Sequence, residues 1–153
     1  MLHAGYFCAV IAASSVALLA SQTPKPRTLR ALVAEDDPIS RRVASLMLKT
    51  FGCEVDLVPN GLTALHRLAS TDYDLVFLDC RMPLMDGYEV AREIRRSEAE
   101  NERPRRRLIA ITSDHLSAHR SACLDAGMDD YVTRPLLVEE FRRVVMRWGA
   151  NPA

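Results

Sequence analysis

Residues 75 to 87 read LVFLDCRMPLMDG. Four apolar residues, Leu75 to Leu78, run directly into Asp79, and a Met-Pro pair, a second methionine and an Asp-Gly pair follow. A short apolar run bounded by turn residues reads as a buried strand. Ending such a strand on a carboxylate puts the charge where the chain leaves the core, at the edge of a sheet.

Working outward, strand-like and helix-like runs alternate from Leu29 onward. LRALVAE reads as a strand, and PISRRVASLMLKTFG as a helix with proline in its first turn and Gly52 at its end. CEVDLV alternates like a strand, and NGLTALHRLAS is a short helix with Leu62, Leu65 and Leu68 along one face. GYEVAREIRRSE, LSAHRSACLDAG and LVEEFRRVVMRWG read as helices, RLIAIT and DYVT as strands. Five β–α units imply an α/β fold, a doubly wound parallel sheet with helices on both faces. In such a sheet the ligand site lies at the carboxyl ends of the strands, near the switch in strand order. The run Arg103 to Arg107, interleaved with Glu98, Glu100 and Glu102, reads as a solvated loop.

The chain of 153 residues carries 20 basic and 20 acidic side chains. Zero net charge argues against a general nucleic-acid or membrane-surface binder. Four scattered cysteines (Cys8, Cys53, Cys80 and Cys123) make no metal-ligand spacing, and three fall in or beside apolar runs. That usage suits a reducing compartment. Residues 1–21 carry no Lys, Arg, Asp or Glu and are about long enough to span a bilayer. Their Ala and Ser content and the missing basic leader argue against a signal peptide. A membrane anchor and the tail of a fragment are both open readings. Residues 22–28, with Pro24 and Pro26, form a stiff linker, and 29–149 one domain.

The strand ends carry the chemistry. The first is followed by Glu35, Asp36 and Asp37, the third ends in Asp79, the fourth in Thr112, and the fifth runs into Arg134-Pro135. Converging carboxylates repel unless a cation sits among them. Oxygen-only ligands favour a hard cation such as Mg²⁺. A carboxylate beside such an ion can accept a phosphoryl group as an acyl phosphate. Thr112 offers a hydroxyl, and Arg134 a fixed positive charge, to phosphoryl oxygens.

The stretches LVAEDDPISR, LVFLDCRMPLMDGYEV, LIAITS and AGMDDYVTRPL resemble the response-regulator receiver domain of two-component signalling, over residues 29 to 148. The resemblance implies a flavodoxin-like (βα)5 sheet in the order 2-1-3-4-5. It implies Asp79 as phosphoacceptor, Asp36 as a direct Mg²⁺ ligand, Glu35 reaching the metal through water, and the backbone carbonyl of Arg81 as a further ligand. Thr112 and Tyr131 fall at the family's switch pair. The implied phosphodonor is a histidine kinase or histidine phosphotransfer protein, docking near Ile39, Ser40 and Pro135. A downstream protein would read the fourth helix, fifth strand and fifth helix. The implied setting is the cytoplasm, as a single-domain regulator or the receiver end of a hybrid sensor kinase.

One position departs from the family. Arg134 stands where a lysine is expected, and a planar guanidinium is broader than an ammonium. It can still clamp a phosphoryl group, or it can weaken the link to the switch. A phosphorylation-independent docking module is therefore a competing reading. An aspartate-nucleophile phosphohydrolase fits less well, because Arg81 occupies the place of its second aspartate. No Gly-rich nucleotide box is present, so the chain is not read as an ATP-dependent kinase or as an enzyme in its own right. His115 and His119, spaced i, i+4, lack a third metal ligand, and His66 lacks a phosphodonor's surroundings. Met82, Met85 and Met128 read as packing residues, and Cys80 as structural.

Overall fold

The computed structural model describes residues 27–113 and 117–149. Among these residues, five strands alternate with five helices: β1 (Arg30–Ala34), α1 (Pro38–Thr50), β2 (Glu54–Val58), α2 (Gly61–Ser70) and β3 (Leu75–Asp79). α3 (Gly87–Glu100), β4 (Arg107–Thr112), α4 (Ser117–Asp125), β5 (Asp130–Thr133) and α5 (Val138–Trp148) follow. All strand pairs are parallel, and the sheet order is β2-β1-β3-β4-β5. The doubly wound parallel sheet expected from the alternation is observed, in the flavodoxin-like strand order that the resemblance implies.

Two apolar layers follow from the period of two along each strand. Ala31, Val33, Leu75, Phe77, Ile109 and Ile111 face α1 and α5. Their neighbours Leu32, Ala34, Val76, Leu78, Leu108 and Ala110 face α2, α3 and α4. β3 is buried at all five positions, which is why it reads as an unbroken apolar run. Phe77 stacks on Phe141 of α5 with ring centroids 5.3 Å apart. Truncating so enclosed an aromatic costs about 3–5 kcal/mol, a large share of the stability of a domain this size.

Local signals set the helix ends. The Asp37 carboxylate accepts from the Ser40 N–H at 2.7 Å and caps α1, whose first residue is Pro38. Gly52, at φ +76°, turns the chain after α1 toward β2. Asp86 and Glu89 form a reciprocal capping box on α3.

Two local expectations need correction. Leu62 is 51% exposed; Leu68 is buried and Leu65 packs against the core as expected, while Gly61 and Ala64 complete the inward face of α2. Its three leucines, each three residues apart, drift around a helix of 3.6 residues per turn. Nor is the charged run before β4 wholly solvated. Glu98 is buried, bonding the Arg95 guanidinium and the Arg106 N–H, and Arg107 lies within the strand. The apolar segment 1–21, most of the linker and His115 lie outside the described residues, as does the side chain of His119. Among the described residues, no helix is long and apolar enough to cross a membrane.

Candidate phosphoryl-acceptor site

Parallel strands deliver their carboxyl ends to one edge. Ala34 pairs with Leu78, Asp79 with Ile111, and Thr112 with Thr133, so the residues that follow β1, β3 and β5 meet there. The strand order reverses between β1 and β3, the point at which sheets of this type bind their ligands. Glu35 continues β1 by one residue, its N–H donating to the Val58 carbonyl at 3.1 Å. Asp36 is exposed, and Asp37 is committed to capping α1. The chain leaving β3 is pinned by the Cys80 N–H on the Ile111 carbonyl at 3.0 Å.

Glu35, Asp36 and Asp79 each offer an oxygen within 4.8 Å of the others. Glu35 is 1% exposed and Asp79 7%, so two of the three charges are largely cut off from water. The Arg134 guanidinium faces them. Its Nη2 donates to Glu35 Oε2 and, at 3.1 Å, to Asp79 Oδ2, while Nη1 donates to Ser40 Oγ at 2.9 Å. The second Asp79 oxygen accepts the Arg81 backbone N–H at 3.1 Å. The Arg134–Pro135 peptide is cis, and the Arg134 N–H donates to the Thr112 carbonyl at 2.8 Å.

One guanidinium does not balance three carboxylates. Burial, together with the neighbouring Asp79 charge, raises the Glu35 carboxyl to about 7 despite the Arg134 contact. Burial also raises Asp79, against the opposing pull of the Arg81 N–H and Arg134. The cluster is short of positive charge, and its all-oxygen donor set fits a hard divalent cation.

Gly87 explains the Asp-Gly pair. A Cβ there would lie 2.3 Å from the Asp79 carbonyl oxygen, so the start of α3 can approach the acidic strand end only without a side chain.

Residues 31–146 match the response regulator receiver domain. The chain belongs to that family. Receiver domains belong to two-component phosphorelay systems, and those similar to this chain include parts of much longer kinases. Hybrid signal transduction histidine kinase L of Dictyostelium discoideum is 38% identical over 133 residues, covering 85% of this chain but 8% of that protein. Sensor histidine kinase GacS of Pseudomonas protegens is 32% identical over 127 residues, covering 83% of this chain and 14% of its own length. Among solved structures, the receiver domain of a Pseudomonas aeruginosa sensor histidine kinase is 36% identical with a TM-score of 0.72. The match covers 82% of this chain and all of that domain, which holds a magnesium ion in its active site cleft.

Of the receiver residues expected from the sequence, Glu35, Asp36, Asp79 and Arg134 come together as one cluster. Arg81 stands beside it, its side chain donating to Ser113 Oγ at 2.6 Å. Thr112 is buried at the end of β4. Tyr131 is half-buried on β5, with the Arg120 guanidinium 5.6 Å from its ring centre. Ser40, Ser113 and Arg41, which donates to the Glu35 carbonyl at 2.6 Å, complete the surroundings. Their contacts in the site were not legible beforehand: the sequence pointed to Ser40 only as part of the donor's docking face, not as a partner of Arg134.

Proposed function

We propose that this receiver domain accepts a phosphoryl group on Asp79 from a histidine kinase or histidine phosphotransfer protein and switches a protein-binding surface. The observation that carries the reading is the gathering of Glu35, Asp36 and Asp79 within 4.8 Å, with Arg134 bridging two of them. Asp36, Asp79 and the Arg81 backbone carbonyl would hold Mg²⁺ directly, and Glu35 through water. Bound there, the ion neutralises the charge of the incoming phosphoryl group.

An Asp79 carboxylate oxygen attacks phosphorus in line, the bond from phosphorus to the donor's imidazole nitrogen breaks, and an acyl phosphate remains. The Arg81 N–H and Arg134 fix the orientation of the Asp79 carboxylate before the donor arrives. Arg134 and the Thr112 hydroxyl then hold phosphoryl oxygens. Ser40 supports the broad guanidinium where a lysine would need no such partner. Movement of Thr112 and rotation of Tyr131 carry the signal toward α4, β5 and α5. The domain so acting spans residues 29–149.

Arg134 also supports a second reading. Its direct bond to Asp79 could keep the acceptor paired, leaving a docking module that works without phosphorylation. Intact mass after incubation with acetyl phosphate and Mg²⁺ separates the two. One phosphoryl adduct is expected on the wild type and none on Asp79→Asn, with Arg134→Lys also modified. An unmodified wild type beside a modified Arg134→Lys would overturn the acceptor reading in favour of docking.

A further inference from the structure

The phosphoacceptor chemistry leaves one buried pair of nucleophiles unused. Cys80, the residue after Asp79, and Cys123 on α4 face each other with sulfurs 4.0 Å apart. Both thiols are free and buried, in the layer beneath α2, α3 and α4. Tyr88 of α3 packs against the same core cluster. Cys53 is the contrast: it is buried in the opposite layer and packs as a small hydrophobe.

We propose that Cys80 and Cys123 are a redox site that closes to an intramolecular disulfide with a peroxide as oxidant, tying the loop beside Asp79 to α4. A disulfide needs its sulfurs about 2.05 Å apart, so the pair must close by about 2 Å through side-chain rotation. The main chain at each end is anchored by the Cys80 N–H on the Ile111 carbonyl and the Met128 N–H on the Cys123 carbonyl, both 3.0 Å.

The chemistry balances with one molecule of hydrogen peroxide. The Cys123 thiolate attacks a peroxide oxygen, the O–O bond breaks, and water leaves as Cys123 becomes a sulfenic acid. The Cys80 sulfur attacks the Cys123 sulfur, the S–O bond breaks, and a second water departs with the remaining thiol proton. Two thiols are oxidised and one peroxide is reduced by two electrons. Cys123 is suited to the first attack: donation from the Cys80 S–H draws its thiol down to about 7 against the effect of burial. Burial restricts entry to a small oxidant. In a reducing compartment such a bond is transient, as for redox-sensing dithiols.

The cross-link itself requires no phosphoryl chemistry; its effect on Asp79 rests on the proposed acceptor role. A bond from residue 80 to α4 constrains the chain that positions Asp79 and the Arg81 carbonyl, and holds the helix at the output face.

The test uses the full chain treated with hydrogen peroxide, then alkylated under denaturing conditions, proteolysed and mapped by mass. A peptide joining Cys80 to Cys123 is expected in the wild type and in Cys53→Ala, lost on dithiothreitol treatment and absent from Cys123→Ala. Alkylation of both thiols, or oxygen addition at either without the joined peptide, overturns the site. Phosphoryl uptake from acetyl phosphate should fall about tenfold or more in the oxidised wild type, since small displacements of reacting groups are costly. It should recover on reduction and be unaffected by prior peroxide in Cys123→Ala. A joined peptide with unchanged uptake overturns the coupling. Reduced wild type that takes up no phosphoryl group would refute the acceptor reading, while the peptide map still decides the cross-link.

Discussion

Two sites that hold buried carboxylates stand at different places in this domain and have opposite electrostatics. At the carboxyl edge, Glu35, Asp36 and Asp79 share one guanidinium, and burial raises both Glu35 and Asp79. At the start of β5, Asp130 is equally buried but receives two bonds from Arg143 and one from Trp148, with Arg147 3.5 Å away. Burial alone would raise it, yet the Arg143 and Trp148 bonds and the Tyr131 N–H outweigh burial and hold it low. The Trp148 ring that donates there also meets two guanidinium groups, those of Arg107 and Arg147, 4.8 and 4.7 Å from its centre. One cluster is a closed structural clasp. The other is left short of positive charge, a condition that suits binding of a cation. Burial of acid groups does not mark function; the ratio of cations to carboxylates around them does.

The largest effect expected from breaking this contrast comes at Arg134. Replacing it by alanine leaves Glu35 and Asp79 facing each other without a counter-charge. Without divalent cation at neutral pH, the loss should be about 2–3 kcal/mol, below the full cost of breaking a buried pair because Glu35 can take up a proton. Denaturant midpoints measure it, and added Mg²⁺ should restore part of the loss. No change in midpoint would mean that the guanidinium does not hold the edge together.

A smaller effect is expected at the clasp. Asp130→Asn keeps the shape but removes the charge that Arg143 and Arg147 face. Both arginines are partly exposed, so a loss of about 1–2 kcal/mol is expected. Phosphoryl uptake by Asp79 should remain, since the clasp is not in contact with the acidic edge. A stability loss as great as that of Arg134→Ala would erase the distinction.

The third expected difference is in the sign of the pH dependence. Because the folded Glu35 binds its proton more tightly than the unfolded chain does, its contribution to stability falls as pH rises from about 4.5 to about 7. Asp130, held low, contributes stability above its unfolded value that is lost as pH falls through its folded one. Without divalent cation, Glu35→Gln should flatten the decline toward neutral pH, and Asp130→Asn should reduce the loss in acid. Thermal midpoints across pH 3 to 8 read both. A decline toward pH 7 that persists in Glu35→Gln would remove that carboxyl as its source.

Much of the fold was legible because its signals are local or periodic. Leu75 to Leu78 carry no polar residue, so burial on both faces followed directly. Asp37, Asn60 and Asp86 cap their helices as short polar residues ahead of helical runs do. Where two periods compete, as at Leu62, the face was misread, because leucines three apart suggest a stripe that a helix of 3.6 residues per turn does not keep. In the candidate site, Glu35, Asp36, Asp79, Thr112 and Arg134 were recognisable from their places at strand ends and from resemblance. Ser40 was not marked as an Arg134 partner, since that contact joins residues 94 positions apart.

The sequence by itself therefore determined the alternation of elements, the doubly wound sheet and the edge at which the acidic residues collect. These follow from periodicity, chain direction and the rule that parallel strands end together. Only the tertiary structure decided how the charges are apportioned there: that Arg134 spans Glu35, Asp79 and Ser40, that Gly87 lies against the Asp79 carbonyl, and that Cys80 meets Cys123. Each of these depends on ångström-scale distances between segments far apart along the chain, and a one-dimensional pattern of polarity carries no information about such distances.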